Sequence, residues 1–183
     1  CDPLGMSQED PTIVVTPIES KKFIGGAGIV AAHAAGLGGK VHFLSVCGDD
    51  EMHEYASKKL EDFNVNTFLC KDISRPTTLK QRYRCKGKTL LRVSHLHQGA
   101  IDSNIQQAIL NKLESLLKEC DVLIFSDFNY GCLPTVMVDK IIEMAKVLGI
   151  FMIADSQSSS QIGDISRFKN MSLITPTERE ARL

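Results

Sequence analysis

The stretch Gly25-Gly26-Ala27-Gly28-Ile29-Val30-Ala31-Ala32-His33-Ala34-Ala35-Gly36-Leu37-Gly38 opens on closely spaced glycines, runs through small residues and closes on glycine again. Glycine permits a tight turn and a close approach, because no Cβ stands in the way. The unpaired N–H groups of the helix start that follows point at whatever lies in front of them. Small apolar residues on nearly every side predict a helix over residues 26–37 that sits buried at the centre of the fold. What this turn faces is decided by the residues on either side of it.

Upstream, the β-branched residues 12–16 predict a strand, behind the polar, proline-bounded Ser7-Gln8-Glu9-Asp10-Pro11. Downstream, residues 41–46 predict a strand, 51–63 an amphipathic helix and 67–70 a short strand. Residues 77–85 and 89–94 then read as a hairpin around Lys86-Gly87-Lys88. The alternation resumes with a helix from Ser103 to Lys118, a strand over 122–125, a helix over 134–148 and strands over 150–154 and 171–174. Strands and helices alternating in this way imply an α/β fold with a mostly parallel sheet covered on both faces. The hairpin breaks that rhythm and is expected to project as a lid, together with residues 12–16. Thr177-Glu178-Arg179-Glu180 is a capping box that starts one more helix.

The chain of 183 residues, 43% hydrophobic and 23% charged, suits one globular core with a small appendage. A net charge of −1 gives no global attraction to nucleic acid or membrane, so an electrostatic site has to be local. No run approaches the length of a membrane span, no signal peptide is evident, and a cytoplasmic location is the expectation. The six cysteines are scattered with no C-x-x-C pair, which reads as reduced, largely buried thiols rather than a zinc site. The first residue is Cys1 and the last helix signal stands close to Leu183, so the chain reads as a piece of a longer protein.

In open α/β sheets ligands bind beyond the carboxyl ends of the strands. Those ends carry Gly48-Asp49, Ser126-Asp127, Asp155-Ser156 and Thr175-Pro176-Thr177. Each Asp taken alone suits a cap or turn; the three together suggest a polar crevice. Between Arg75 and Arg92 the basic residues are Arg75, Lys80, Arg82, Arg84, Lys86, Lys88 and Arg92, with no acid among them. Alternation puts Lys80, Arg82 and Arg84 on one face. Charges of one sign suit an edge strand kept soluble, or a lid that binds an anionic small ligand such as a sugar phosphate. Gly26-x-Gly28-x-x-Ala31 also fits the dinucleotide fingerprint, with Asp49 about where its ribose-binding acid falls. There, however, a strand runs directly into the first glycine, whereas here Pro17 and a polar stretch intervene.

These segments, with Arg75-Pro76-Thr77-Thr78-Leu79-Lys80-Gln81-Arg82, Leu90-Leu91-Arg92 and Ser126-Asp127-Phe128 with Gly131, resemble the ribokinase or PfkB carbohydrate kinases in order and spacing. Within that family the likeness is strongest to the heptose-7-phosphate kinase domain of ADP-heptose synthesis enzymes. The resemblance implies a ribokinase-like three-layer αβα fold with a mostly parallel sheet and a small β-hairpin lid, strands about 12–16 and 77–94, that often forms a homodimer clasp. It implies transfer of the ATP γ-phosphoryl group to a sugar hydroxyl with Mg²⁺. Residues 1–183 would be a partial kinase domain. Gly25, Gly26 and Gly28 would face the sugar, Lys80, Arg82 and Arg92 would hold an anionic substrate, and Asp127 and Asp155 would line the crevice. Glu180 matches the acid of the family's Asn-x-x-Glu motif, near Mg²⁺ and the phosphates. The catalytic Asp and most of the adenine site are expected beyond Leu183, so this piece is expected not to turn over alone.

Four positions depart from the family pattern. Ile29 and Thr177 stand where the family has Asn, and Tyr130 and Ser94 stand where the kinase group has Lys and Asp. They motivate an alternative, a non-catalytic sugar-phosphate-binding module that dimerises through its lid. A dinucleotide oxidoreductase is the distant alternative, and a fused nucleotidyltransferase domain occurs in part of the kinase group.

Overall fold

The structure is a computed structural model that describes residues 1–158 and 162–182. Among the described residues nine strands and five α-helices follow in the order β1 (Asp2–Met6), β2 (Ile13–Thr16), α1 (Gly26–Gly36), β3 (Val41–Cys47), α2 (Glu51–Asp62), β4 (Val65–Lys71), β5 (Leu79–Cys85) and β6 (Lys88–His95), then α3 (Ser103–Leu117), β7 (Val122–Asp127), α4 (Thr135–Val147), β8 (Phe151–Ser156), β9 (Leu173–Ile174) and α5 (Glu178–Ala181). Strands β3 and β4 pair in parallel, as do β7, β8 and β9, while β1–β2 and β5–β6 are antiparallel ribbons. Among the described residues no helix is long and apolar enough to cross a membrane.

Alternation along the strands builds two cores. On one side Leu44, Val46, Phe68, Phe125, Met152 and Ala154 meet Leu113 of α3 and Val138 and Ile141 of α4. On the other, Val41, Phe43 and Val65 meet Ala31 of α1 and Leu60 of α2. That is a helix layer on each face of a parallel sheet, with α1 packed on β3, β4 and β7 and α2 on β4. Ile124 and Phe151, on the opposite pleat from Leu123 and Met152, remain exposed.

Two expectations change here. Helix α1 is not buried all round: Gly28, Ala31 and Ala32 are buried while His33 and Gly36 face solvent. Its small residues let one face come close to the strands rather than demanding cover on every side. Its end is a Schellman cap, with Gly38 at φ +93 and the Gly39 and Gly38 amides donating to the Ala34 and Ala35 carbonyls. The lead-in, moreover, contains strand β1, which Pro3 and Gly5 disguise in the sequence. It pairs with β2 across an irregularity between Pro3 and Gly5, and the Cys1 ammonium donates to the Arg84 carbonyl at the far end of β5.

The β5–β6 ribbon stands on two connections that are anchored to the sheet end. The amide of Thr77 donates to Asp50 Oδ2 and its hydroxyl accepts from the Gly48 amide, at 2.7 and 2.9 Å. A Cβ on Gly48 would lie 2.7 Å from the Arg75 carbonyl oxygen, so glycine is required for that approach. On the other connection, Ile101 donates to the carbonyl of Gly131, which has φ +76. A Cβ on Gly131 would lie 1.9 Å from the Gly99 carbonyl oxygen.

Gly131→Ala is expected to cost about 3 kcal/mol, strain in a left-handed residue plus displacement of the 99–101 segment. Gly149→Ala, at φ +69 with nothing within 4 Å of the new Cβ, carries only the conformational term of about 1–2 kcal/mol. Urea unfolding of the two variants measures the difference.

Candidate functional site

The base of the site is an ion pair. Asp72, directly after β4, and Arg75 are 5% and 7% exposed at their side chains, and Arg75 Nε donates to Asp72 Oδ2 at 2.6 Å. Arg75 also donates through Nη1 to the Tyr130 carbonyl and through Nη2 to the Gly99 carbonyl, at 3.2 and 3.0 Å. One guanidinium therefore joins the end of β4, the β6–α3 connection and the loop after β7. Arg75 thereby leaves the basic ribbon to which the sequence assigned it. The Ser74 hydroxyl holds the Asp72 carboxyl below the usual carboxylate range; burial opposes this, and the Ser74 amide and Arg75 add to it.

On the ribbon, Lys80, Arg82, Ser94 and Arg92 share a face, with Lys80 opposite Ser94 and Arg82 opposite Arg92. Arg84 keeps the strand parity of Lys80 and Arg82, but its cross-strand partner changes and its guanidinium is engaged at the turn. Leu90 is an extra residue that shifts the register between Tyr83 and Arg84, and Arg84 Nη2 donates to the Gly87 carbonyl at the turn. The face is turned toward the loop after β7, where Lys80 Nζ lies 5.0 Å from the Phe128 ring centroid and 5.1 Å from that of Tyr130. Phe128 in turn lies against the glycine turn, since a Cβ on Gly26 would come 3.3 Å from its ring. Gly25, the N-cap of α1, is exposed. Gly28 is placed differently: it is buried, and a Cβ there would lie 2.7 Å from Ile24 Cγ2.

The three strand-end acids do not converge. Asp49 is exposed and pairs with Lys71 at 2.6 Å. Asp127 points to the α3–α4 side, two residues on from buried Phe125, and is itself buried. Its carboxylate accepts from Arg167 Nη2 at 2.6 Å, from Ser156 Oγ at 3.3 Å and from the Asn129 amide at 3.0 Å. Asp155 lies on the other pleat, accepts from Gln157 and Thr175, and shares an open cleft of about 490 Å³ with Ser158, Thr177 and Glu180.

Glu180 forms the capping box with Thr177 and also receives the Ser158 amide. The Ser158 amide first, then the Thr177 amide and hydroxyl, hold its carboxyl below the ordinary glutamate range. Among the described residues no group of three or more His, Cys, Asp or Glu side chains forms a metal site. The carboxylates of Asp155 and Glu180 on one cleft nevertheless fit a hard cation that takes the rest of its coordination from water and phosphate, as Mg²⁺ does. The cysteines are free thiols, and burial first, then Asp50, pushes the Cys47 thiol up to about 11, so it is no nucleophile.

Sequence reasoning missed Asp72, Arg167 and Phe128. Asp72 stands three residues before Arg75 and was legible as a partner. Arg167 lies in a segment without motif, and its bonds to Asp127 and the Leu133 carbonyl are set by tertiary structure alone. The glycine turn is not fed by a parallel strand, because β2 belongs to the β1–β2 ribbon, so the crossover of a dinucleotide fingerprint is absent.

A model of the pfkB family of carbohydrate kinases matches residues 2–183. The chain is 32% identical over 179 residues to the bifunctional protein HldE of Helicobacter hepaticus, covering 97% of this chain and 36% of that protein. It thus spans little more than a third of that relative's length. Among solved structures, ribokinase from Giardia lamblia superposes with a TM-score of 0.64 at 17% identity, over 91% of this chain and 54% of that one. Phosphofructokinase-2 from Escherichia coli, in its tetrameric inhibited form, gives 0.61 at 22% identity, over 85% and 50%. The ribokinase-like α/β fold expected from the sequence is the one observed.

Because the Asp72 pKa is depressed by folding, its contribution is present above the unfolded value of about 4 and lost as pH falls through the lower folded value. Asp72→Asn is therefore expected to lower stability by about 3–5 kcal/mol at neutral pH, the cost of breaking a buried pair. The gap to the parent chain should close below about pH 4, read as thermal midpoints from pH 7 to 3.

Proposed function

The chain belongs to the pfkB family of carbohydrate kinases, and from that premise we propose that it is the sugar-binding, lid-bearing part of an ATP-dependent kinase acting on an anionic sugar. The observation that carries this reading is the register of the lid. Arg82 and Arg92 stand directly opposite one another on the face that Lys80 shares. Like charges placed so destabilise a two-stranded ribbon. An arrangement that works against its own ribbon is accounted for by an anionic ligand between the two guanidiniums, which bind phosphate oxygens in a fork. A sugar phosphate fits that demand.

In this reading the turn at exposed Gly25 and half-buried Gly26 meets the sugar, Arg82 and Arg92 hold its anionic group, and Lys80 adds charge at the inner end of the same face. Asp155 and Glu180 would hold Mg²⁺, which when bound neutralises phosphate charge. Asp127 keeps the crevice floor in place through Arg167 instead of meeting substrate. Positioning and charge neutralisation are the whole of this part's contribution, and the proton-accepting base is assigned to the intact protein outside these residues. The reverse face of the ribbon carries exposed Leu91, and the β1–β2 ribbon tied to it exposes Leu4, Met6 and Ile13. That apolar surface supports a homodimer formed through the lid.

One observation favours the non-catalytic alternative: both Glu180 oxygens already accept hydrogen bonds from Ser158 and Thr177. The intact protein decides between the two. Phosphoryl transfer from ATP to a phosphorylated sugar, with little to the neutral sugar, is the expected result; binding without transfer means the module reading. Arg82→Ala with Arg92→Ala is expected to weaken the phosphorylated sugar at least tenfold, since each charged hydrogen bond is worth about 1.5–3 kcal/mol. The neutral sugar should be little affected, and an equal loss for both overturns the assignment.

A further inference from the structure

The ring of Phe128 lies between the glycine turn and the lid. On one side a Cβ added to Gly26 would come 3.3 Å from its Cε2. On the other, Lys80 Nζ stands 5.0 Å from its centroid and 5.1 Å from that of Tyr130. The two rings are stacked, with centroids 6.2 Å apart and planes 22° from parallel. We infer that Phe128 and Tyr130 form a cation–π latch that positions Lys80 and holds the β5–β6 ribbon closed over the glycine turn before any ligand arrives.

The platform is fixed from below. Asn129, between the two rings, adopts φ +58, a left-handed conformation that asparagine tolerates better than most residues. Its amide donates to Asp127 Oδ1 and its side chain to the Ile162 carbonyl, at 3.0 and 2.9 Å. Asp127 is held in turn by Arg167, which also donates to the Leu133 carbonyl. The Tyr130 carbonyl accepts from Arg75. The loop that carries the rings is therefore anchored at both flanks, and the ribbon docks on a surface that is already in place. A cation within about 6 Å of an aromatic centroid is attracted by the negative face of the ring, more strongly when water is excluded. Lys80 meets that condition for both rings.

The latch gives Gly26 a second role. With a side chain at that position Phe128 would have to move, so the second glycine of the turn seats the ring on which the lid closes. It also orders the basic face. With Lys80 anchored at the inner end, Arg82 and Arg92 are carried on a ribbon of fixed pitch instead of one that swings. Phe128 and Tyr130 are thus positioning residues that act through Lys80.

The inference concerns the chain without substrate, and its test needs no sugar, so it stands or falls apart from the proposed activity. Phenylalanine analogues with one and then three ring fluorines, placed at position 128, drain the negative face with little change in shape. Hydrogen exchange of the β5 and β6 amides is expected to accelerate in step with fluorination, reaching about tenfold for the trifluoro ring, while α3 and α4 amides keep their parent rates. Lys80→Met, of similar length without the charge, is expected to give the same acceleration in the ribbon. Unchanged ribbon exchange in both the trifluoro and Lys80→Met proteins overturns the latch, as the contact is then packing alone. A rise shared equally by α3 and α4 also overturns it, as the effect is then on the whole fold.

Discussion

The buried pair between Asp72 and Arg75 is the interaction on which the lid depends. An antiparallel ribbon of two strands has almost no independent stability, so β5 and β6 take their position from the points at which they are rooted. Arg75 ties both roots together with one side chain, bonding Asp72 on the entering connection and the Gly99 carbonyl on the leaving one. Its third bond, to the Tyr130 carbonyl, sets the loop on which the ribbon rests. A guanidinium suits this work because it offers several donors in one rigid plane and is always charged. The close approaches at Gly48 and Gly131 remove the side chains that would otherwise keep these connections apart.

The same economy appears at the strand ends. Successive residues of β7 point to opposite faces, so Ser126 and Asp127 cannot serve the same crevice. Asp127 goes inward with Phe125 and becomes the anchor for Arg167, while Asp155 of β8, paired with Ser126, stays on the open side. The cleft that holds Asp155 also takes Glu180, whose capping box sets the short α5 against the Ser158 amide. Local helix chemistry and a candidate cation site thus use one carboxylate.

Much of the fold was legible because periodicity is a local property. The strands from β3 to β8 and the helices α2 to α4 begin and end within a few residues of where alternation and caps put them. Strand β1 was not legible, because Pro3 and Gly5 carry no strand signal and its partner supplies the register. The basic face was readable from alternation along β5; the extra residue Leu90 on β6, which changes the partner of Arg84, leaves no mark in composition. Asp127 was in fact decipherable, since its parity with buried Phe125 determines its face. Arg167 and the Phe128 platform were not, as they acquire meaning only when segments distant in sequence meet.

The opposed guanidiniums of Arg82 and Arg92 make the lid a charge-stressed object. Both are exposed, so their mutual repulsion is felt through solvent and is reduced by mobile ions within a Debye length of about 8 Å at physiological ionic strength. Salt relaxes that repulsion and steadies the ribbon, while it would weaken the attraction for the anion proposed to bind at the same place. Ionic strength would therefore act with opposite sign on the lid and on such a ligand. A multivalent anion would escape this conflict, because one such ion could neutralise both arginines at once.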